Sequence, residues 1–258
     1  MTKTQDLLNT GYIRFSAPAK LNLFLKVINK RKDGYHNIQS IFQLIELSDD
    51  IFIRIRKKDT QINVENSSHL VKPENDLTFK AAQSILRDRH LGADIFVKKN
   101  IPIGAGLGGG SSDAATVLMA INKLCNFNLS KTDLIKSNLK LGADIPFFIN
   151  GLNAWVEGIG EILHNIKIPN STYVVMVPNL SINTKTIFTG FKLTNSSIPL
   201  KIASSYNAVE HDFVKNDLEE TVIGKYVKMA KLLKWMSCFG DAKMSGTGSS
   251  IFIKAKNL

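Results

Sequence analysis

Hydrophobic and polar residues alternate along the first third of the chain in the manner of β-strands. Apolar residues dominate from Leu21 to Ile28, and the segment from Ile38 to Leu47 continues an extended pattern. Ile51 to Arg56 then alternates apolar side chains with arginine at period two, which is typical of a strand with one buried face. Asp33-Gly34 favours a turn between the first two segments. The opening third is therefore predicted to be mainly sheet.

Helical spacing of apolar residues first appears from Leu77 to Arg87, and Asp76 directly before it is a candidate N-cap. A short strand is predicted over Ile95 to Lys98. Ser130 followed by Asp133 predicts a helix that starts with a capping box and continues to about Leu139. Helices and strands therefore alternate through the middle of the chain.

The last hundred residues combine short strands with a lysine-rich helix. Strands are predicted over Tyr173 to Val177 and Ile251 to Ile253, and Val222 to Met236 has the pattern of one amphipathic helix. The composition changes beyond Gly151, which places the most plausible domain boundary near residues 150–160. A chain of 258 residues is long enough for one large domain or two small ones.

The most unusual segment is a glycine-rich stretch that leads into a helical pattern. Residues 104–110 contain five glycines, two serines follow, and apolar residues recur at helical spacing from Val117 to Leu124. Backbone N–H groups of such a loop can converge on an anion, and the helix adds the positive end of its dipole. Glycine also costs backbone entropy that a simple turn does not require. The loop is predicted to bind a phosphate group.

Three well-known phosphate-binding sequences do not account for this loop. A Walker loop needs a lysine, and none lies between Gly104 and Ser112. A dinucleotide fingerprint is formally present from Gly104 to Gly109, but Pro102 interrupts the approach from a strand, and the acidic residue expected about 20 positions later is Asp133, at a predicted helix start. The protein-kinase sequences His-Arg-Asp and Asp-Phe-Gly are absent from the chain.

Composition and charge narrow the class of protein. Apolar residues make up 44% and charged residues 21% of the chain, which excludes a disordered or coiled-coil protein as the overall class. The net charge is +11, but 27 of the 33 basic residues are lysines, whereas base readout and phosphate clamping favour arginine. We therefore expect no nucleic-acid partner.

Two further features of the sequence indicate the cellular compartment of the protein. Cys125 and Cys238 are too few for a disulfide framework. The N-terminal ten residues are polar, and no apolar run approaches the roughly 18 residues of a membrane span. A cytoplasmic protein without membrane contact is expected.

The loop Pro102 to Ser112, with the pattern Pro-x-Gly-x-Gly-Leu-Gly-Gly-Gly-Ser-Ser, resembles the ATP-binding loop of the GHMP small-molecule kinases. The segments Pro18 to Leu23 and Met244 to Ser249 resemble the family's N-terminal and C-terminal motifs, in the same order. The resemblance implies an α+β fold of two domains. Residues 1–155 would form an ATP-binding domain like the second domain of ribosomal protein S5, and residues 156–258 a ferredoxin-like domain.

Three more segments, Lys20–Leu25, Arg31–His36 and Leu141–Phe148, point to one branch of the family. That branch transfers the γ-phosphoryl group of ATP to the 2-hydroxyl of a cytidine diphosphate-linked methylerythritol in the non-mevalonate isoprenoid pathway. The resemblance thus implies ATP and Mg²⁺ as cofactors, a small-molecule substrate, and a monomer or weak homodimer. Two alternatives stay open, namely a GHMP kinase of the mevalonate or homoserine type and a basic RNA-binding module.

The resemblance also implies roles for single residues. Asp144 is expected to be the catalytic base and Lys20 its electrostatic partner, which stabilises charge that develops on the acceptor oxygen. Asp94 stands in the same Leu-Gly-Ala-Asp tetrapeptide, so only the Ile-Pro-Phe-Phe continuation distinguishes Asp144 from it.

The remaining expected site residues bind ligands. Nucleotide binding is expected of Pro102, Ile103, Gly104, Ala105, Gly106, Leu107, Gly108, Gly109, Gly110, Ser111 and Ser112. Substrate binding is expected of Asn22, Tyr35, His36, Thr184 and Phe188. No protein metal site is expected, because phosphates and water would hold most of the Mg²⁺ coordination sphere, with one serine as a further candidate ligand.

Overall fold

The computed structural model describes residues 3–68, 75–193, 198–200 and 215–255. The strands are β1 (Ile13–Lys30), β2 (His36–Arg56), β3 (Ile62–Asn66), β4 (Gly92–Lys98), β5 (Ala154–Glu157), β6 (Ile162–Asn165), β7 (Tyr173–Met176), β8 (Lys243–Met244) and β9 (Ile251–Lys254). The helices are α1 (Lys3–Asn9), α2 (Leu77–Leu86), α3 (Gly109–Leu124), α4 (Lys131–Asn138), α5 (Ile145–Asn150), α6 (Thr184–Gly190), α7 (Glu219–Lys225) and α8 (Val227–Met236), with a 3₁₀ turn at Leu139–Leu141.

The chain divides into two compact units, each assembled from separate segments. The first unit comprises Met1–Ala19, Ile45–Ile101 and Gly108–Gly151, and the second comprises Lys20–Leu44, Pro102–Leu107 and Leu152–Leu258. Because these boundaries fall inside β1 and β2, each of those strands contributes to both units. The division of the family domains at residue 155 stays a prediction.

In the first unit, β4 pairs antiparallel with the second half of β2 and parallel with β3. Helix α2 packs against α3, and α5 packs against both α3 and α4. The face of α3 predicted from its apolar spacing is largely confirmed, since Val117, Leu118 and Ile121 are fully buried. Asp76 accepts a hydrogen bond from Thr78 N at 2.7 Å, which confirms the predicted N-cap of α2.

In the second unit, the first half of β2 pairs antiparallel with β5, and β5 pairs with β6. A separate antiparallel sheet has the order β7-β9-β8. The core of the unit combines side chains from β1, β2, β8 and β9, from α6, α7 and α8, and from two residues ahead of α6 and α7. These side chains are Leu25, Val27, Ile38, Ile182, Ile187, Leu218, Val222, Met229, Met236, Met244, Ile251 and Ile253. The burial of this aliphatic surface is the main stabilising contribution to the unit.

Two predicted boundaries are wrong. The segments predicted as two strands, Ile38–Leu47 and Ile51–Arg56, belong to the single strand β2. The helix predicted over Val222–Met236 is two helices, because Tyr226 has an extended backbone with φ −124° and ψ 97°. The buried side chains on both sides of Tyr226 keep their spacing, so the apolar pattern conceals the break.

None of the helices within the described ranges is long and apolar enough to cross a membrane.

Candidate active site

The first half of the glycine loop lies in the second unit, where it contacts the C-terminal glycine segment, residues 245–250. Ser250 N donates to the carbonyl oxygen of Ala105 at 3.0 Å, and Ser245 Oγ donates to the carbonyl oxygen of Gly106 at 3.2 Å. The two glycine motifs singled out in the sequence are therefore neighbours, and the second holds the backbone of the first.

Gly106 has no room for a side chain in this arrangement. Its φ is +75°, and a Cβ would lie 2.5 Å from the Ser245 carbonyl oxygen and 2.8 Å from the Gly248 carbonyl oxygen. We expect Gly106→Ala to weaken binding of ATP, the ligand that the motif predicts, by about tenfold or more. We also expect it to lower the free energy of unfolding by about 2 kcal/mol. Nucleotide titration and urea unfolding measure the two effects.

Gly34→Ala is the matched control. Gly34 has φ +88°, but nothing lies within 4 Å of a Cβ built on it. The control therefore introduces backbone strain of about 1 kcal/mol without a steric clash and should leave ATP binding unchanged. If Gly106→Ala and Gly34→Ala changed ATP affinity and the free energy of unfolding equally, the contact with residues 245–250 would not restrict Gly106.

The second half of the loop begins α3 in the first unit. Gly108 is the N-cap residue with φ 73°, and a Cβ on Gly109 would lie 3.0 Å from Cγ2 of Ile101. The Ser112 hydroxyl donates to the carbonyl oxygen of Pro18 at 2.6 Å. The first N–H groups of a helix have no acceptor within it, so this turn offers backbone donors at the positive end of the helix dipole. The arrangement suits a phosphate group.

A buried ion cluster connects the segments before and after the loop. Lys99 Nζ contacts the carboxylate of Asp49 and donates to Asp113 Oδ2 at 2.7 Å, and the three side chains are at most 9% exposed. Asp49 Oδ1 also accepts hydrogen bonds from the N–H groups of Asn100 at 2.6 Å and Ile101 at 2.8 Å. Because Asp113 lies near the start of α3, the cluster ties the chain ahead of the loop to the helix behind it.

Two carboxylates share one ammonium group in this cluster, which alters their titration. Burial raises the pKa of Asp113 to about 7, since it outweighs the opposing effect of Lys99, and the charge of Asp49 adds to the rise. Burial alone would lower the pKa of Lys99, but the two carboxylates outweigh it and raise that pKa. Asp113 Oδ1 is buried without a hydrogen-bond partner in the described part of the chain.

The raised pKa of Asp113 predicts how stability depends on pH. Its carboxyl binds a proton more tightly in the folded protein than in the unfolded chain, where its pKa is near 3.8. Its stabilising contribution is therefore complete below about pH 4 and is lost as the pH rises to 7, at a rate of at most about 1.4 kcal/mol per pH unit. Asp113→Asn removes this titration, so we expect its free energy of unfolding to fall less over that range.

Urea unfolding at several pH values between 4 and 8 measures the difference. Asp6→Asn changes an exposed carboxyl and should keep the wild-type dependence. If Asp113→Asn lost stability with rising pH as steeply as the wild type, the raised pKa would be refuted.

Lys20 lies inside β1, which begins at Ile13, and not ahead of a strand that starts at Leu21. Its side chain is buried; Nζ donates to Asn22 Oδ1 at 2.6 Å and lies 4.1 Å from the centroid of the Phe42 ring. The amide oxygen and the ring face both stabilise a buried cation. The structure thus brings together two of the predicted site residues.

Asp144 belongs to the first unit and occupies the N-cap position of α5, but its side chain makes no capping hydrogen bond. Asp94, in the same tetrapeptide, lies in β4. Its carboxylate accepts a hydrogen bond from Arg54 at 2.8 Å and forms an ion pair with Arg56. The carboxylate of Asp94 is therefore held by two arginines. The side chain of Asp144 does not cap the helix that follows it.

Residues expected to bind the nucleoside of the substrate lie in the second unit. The rings of His36 and Phe188 are stacked with centroids 5.2 Å apart and planes inclined by 27°. Burial and then the charge of Lys30 lower the pKa of His36, so its imidazole is neutral at pH 7. Thr184 begins α6, and its hydroxyl lies 3.0 Å from that of Thr247.

Tyr35 differs from these residues because it is 60% exposed. Its backbone N–H donates to Asp33 Oδ1 at 3.1 Å within the turn between β1 and β2. Contact of this ring with the substrate stays a prediction.

Several residues that hold the site in place were not identified from the sequence. They are Asp49, Ser40, Phe42 and Asn216. Asn216 is buried, and its Nδ2 donates to the carbonyl oxygens of Met244 at 2.8 Å and Gly246 at 2.7 Å, which anchors the C-terminal glycine segment. Ser40 follows Gln39 in a predicted strand, so nothing in the local sequence distinguished it.

Comparison with known proteins reveals the relatives of this chain. The family model described as GHMP kinases N terminal domain matches residues 76–152. A protein of Herminiimonas arsenicoxydans named 4-diphosphocytidyl-2-C-methyl-D-erythritol kinase is 42% identical over 245 residues, which cover 93% of this chain and 85% of the relative. A protein of the same name from Janthinobacterium sp. (strain Marseille) is 43% identical over 243 residues, covering 92% and 83% of the two chains.

Solved structures agree with these relatives. A crystal structure of 4-(cytidine 5'-diphospho)-2C-methyl-D-erythritol kinase matches with a TM-score of 0.78 and 28% identity, covering 95% of this chain and 90% of that one. Methanococcus jannaschii mevalonate kinase matches with a TM-score of 0.68 at 15% identity, covering 95% and 91%, and shares the fold. The predicted two-domain α+β fold is confirmed.

Proposed function

The chain belongs to the GHMP kinase family, in the branch of the 4-diphosphocytidyl-2-C-methyl-D-erythritol kinases, and from this premise we propose how its residues carry out the reaction. It is a small-molecule kinase that uses ATP. The acceptor is 4-diphosphocytidyl-2-C-methyl-D-erythritol, a precursor in isoprenoid biosynthesis, and we assign the phosphorylated group to its 2-hydroxyl. The observation that carries this assignment is the similarity to kinases of that name over more than nine-tenths of the chain.

The glycine loop is proposed to hold the phosphates of ATP. Its support is the combination of glycines at positive φ, a steric limit at Gly106 and a helix start with backbone donors at Gly108. The loop from Pro102 to Ser112 supplies main-chain N–H groups and the hydroxyls of two serines. Phosphoryl transfer depends chiefly on such positioning and on neutralisation of charge.

Mg²⁺ is proposed to enter with ATP, held mainly by phosphates and water. Among the residues that the structure describes, no group of three or more His, Cys, Asp or Glu side chains is placed to hold a metal ion. The Ser112 hydroxyl donates to a backbone carbonyl, so the half-buried Ser111 beside it is the candidate protein ligand. When bound, the ion would neutralise charge on the transferred phosphoryl group.

Asp144 is proposed as the general base that takes the proton from the acceptor hydroxyl. Its carboxylate does not cap α5, and its apolar neighbours in that helix are buried. Lys20 is proposed to stabilise negative charge as it develops on the acceptor oxygen. A lysine suits this role because its ammonium is a compact charge with up to three donors.

Recognition of the cytidine is proposed for the second unit. The stacked rings of His36 and Phe188 offer flat surfaces for a base, and a neutral imidazole can donate and accept hydrogen bonds at the base edge. Thr184, Tyr35 and Asn22 are proposed as further substrate contacts.

Measurement of ADP release tests the assignment. Purified protein with Mg-ATP should release ADP when the diphosphocytidyl substrate is added and should not when mevalonate or homoserine replaces it. ADP release with either of those alcohols alone would assign the chain to another branch of the family. Steeply salt-dependent binding to RNA in the absence of kinase activity would instead support the RNA-binding alternative.

The state of assembly and the location of the protein stay predictions. We propose a monomer or weak homodimer that acts in the cytoplasm without a nucleic-acid or membrane partner. Sedimentation velocity at several concentrations measures the first of these.

A further inference from the structure

The side chain of Asn22 lies between Lys20 and a residue of the neighbouring strand. Asn22 Oδ1 accepts from Lys20 Nζ at 2.6 Å, and Asn22 Nδ2 donates to Ser40 Oγ at 3.1 Å. Asn22 and Ser40 are both almost completely buried, at 1% and 0% exposed. Any polar atom here that lost its partner would therefore be costly.

The direction of each hydrogen bond follows from the chemistry of its atoms. The Ser40 hydroxyl has one proton, and it donates that proton to the carbonyl oxygen of Phe24, which can only accept. The lone pairs of Ser40 Oγ are thus left to accept, and the partner that faces them must be the NH₂ group of Asn22. An ammonium group has no acceptor, so Lys20 in turn requires the amide oxygen.

Ser40 and Lys20 consequently impose the same orientation on the Asn22 amide. If the amide rotated by half a turn, its NH₂ group would face the ammonium of Lys20, and its oxygen would face a hydroxyl whose proton is already donated. Phe42, two residues after Ser40 and so on the same face of β2, contributes the ring that lies against the Lys20 ammonium. One face of β2 thus supports the contact of Lys20 with the Asn22 amide and supplies the ring of Phe42.

We propose that Ser40 is a positioning residue for the phosphoryl transfer, because it holds the Asn22 amide with its oxygen toward Lys20. The proposal rests on the catalytic role proposed for Lys20. Ser40 touches neither substrate nor the reacting atoms in this scheme; it acts through Asn22. Loss of its hydroxyl leaves the NH₂ group of Asn22 without this acceptor, so the amide rotates more freely and the ammonium is less well placed.

Steady-state kinetics of Ser40→Ala tests the proposal. We expect kcat to fall about tenfold while the KM for ATP stays unchanged, because the loop that holds the phosphates does not involve this hydroxyl. Ser40→Thr retains the hydroxyl and should restore kcat. Thr78→Ala removes a buried hydroxyl from α2 and should leave kcat at the wild-type value.

A double-mutant cycle with Asn22→Ala separates positioning from a loss of packing. If Ser40 acts through Asn22, then Ser40→Ala should have no further effect on kcat in the Asn22→Ala background, even where both substitutions lower stability. Fully multiplicative effects on kcat would overturn the proposal, and so would a wild-type kcat for Ser40→Ala. A wild-type kcat for Ser40→Ala differs from a failure of the proposed function. If only the inference about Ser40 were wrong, Lys20→Met would still lose activity.

Discussion

Asp144→Asn is expected to lower kcat by about 10²- to 10⁴-fold. The amide has nearly the size of the carboxylate, so the packing around α5 is retained, but it cannot take the proton of the acceptor hydroxyl. Affinity for ATP should stay near the wild-type value, because the glycine loop is unaltered. Single-turnover kinetics separates this chemical step from binding and product release.

Asp94→Asn is the matched control, since it changes the same residue in the same Leu-Gly-Ala-Asp tetrapeptide. Asp94 pairs with Arg54 and Arg56, so its substitution should lower the free energy of unfolding by about 1 to 3 kcal/mol and leave kcat unchanged. If Asp144→Asn kept kcat within about threefold of the wild type, Asp144 would not be the base.

Lys20→Met is expected to lower kcat by about 10²- to 10³-fold, the usual loss when a group that stabilises charge in the transition state is removed. Methionine keeps an unbranched apolar stem that can pack near the Phe42 ring, but it brings no positive charge and no donor to Asn22 Oδ1. Removal of a buried charge stabilises the folded state, but Asn22 Oδ1 loses its Lys20 donor, so the two effects oppose each other and thermal stability should change little. Kinetics and thermal unfolding on the same preparations measure both effects.

Two further substitutions test whether the loss of kcat in Lys20→Met comes from the charge at this position. Lys20→Arg keeps the charge but spreads it over a planar group, so we expect partial activity. Lys228→Met removes a lysine from the exposed face of α8 and should match the wild type. A kcat for Lys20→Met within about threefold of the Lys228→Met value would refute the electrostatic role of Lys20.

The capped starts of α2 and α4 were the most predictable boundaries of the fold. The capping box of α4 is present as expected, with Asp133 N donating to Ser130 Oγ at 3.1 Å and Ser130 N donating to Asp133 Oδ2 at 3.0 Å. Such bonds join residues three positions apart, so a short stretch of sequence contains all the information they need. Element ends that depend on distant packing, such as the continuous β2 and the break at Tyr226, were predicted wrongly.

The residues of the candidate site also fall into those that local sequence predicts and those that depend on distant packing. The glycine motifs, Lys20, Asn22 and Asp144 could be identified because their residue types and spacing form motifs along the chain. Their supports could not, because Asp49 reaches Lys99 across 50 positions and Asn22 reaches Ser245 across 223. A single sequence contains no signal for such pairs until the strands that carry them are in place.

The amino-acid sequence by itself determined the family, the position of the glycine-rich loop and the residue types of the candidate site, because each depends on neighbours within a few positions. Only the tertiary structure decided that Asp94 pairs with Arg54 and Arg56, that Asp113 shares Lys99 with Asp49, and which way the Asn22 amide faces. These features depend on burial and on the direction of hydrogen bonds between distant segments. The free energy of a buried polar group is set by the partners that folding brings to it.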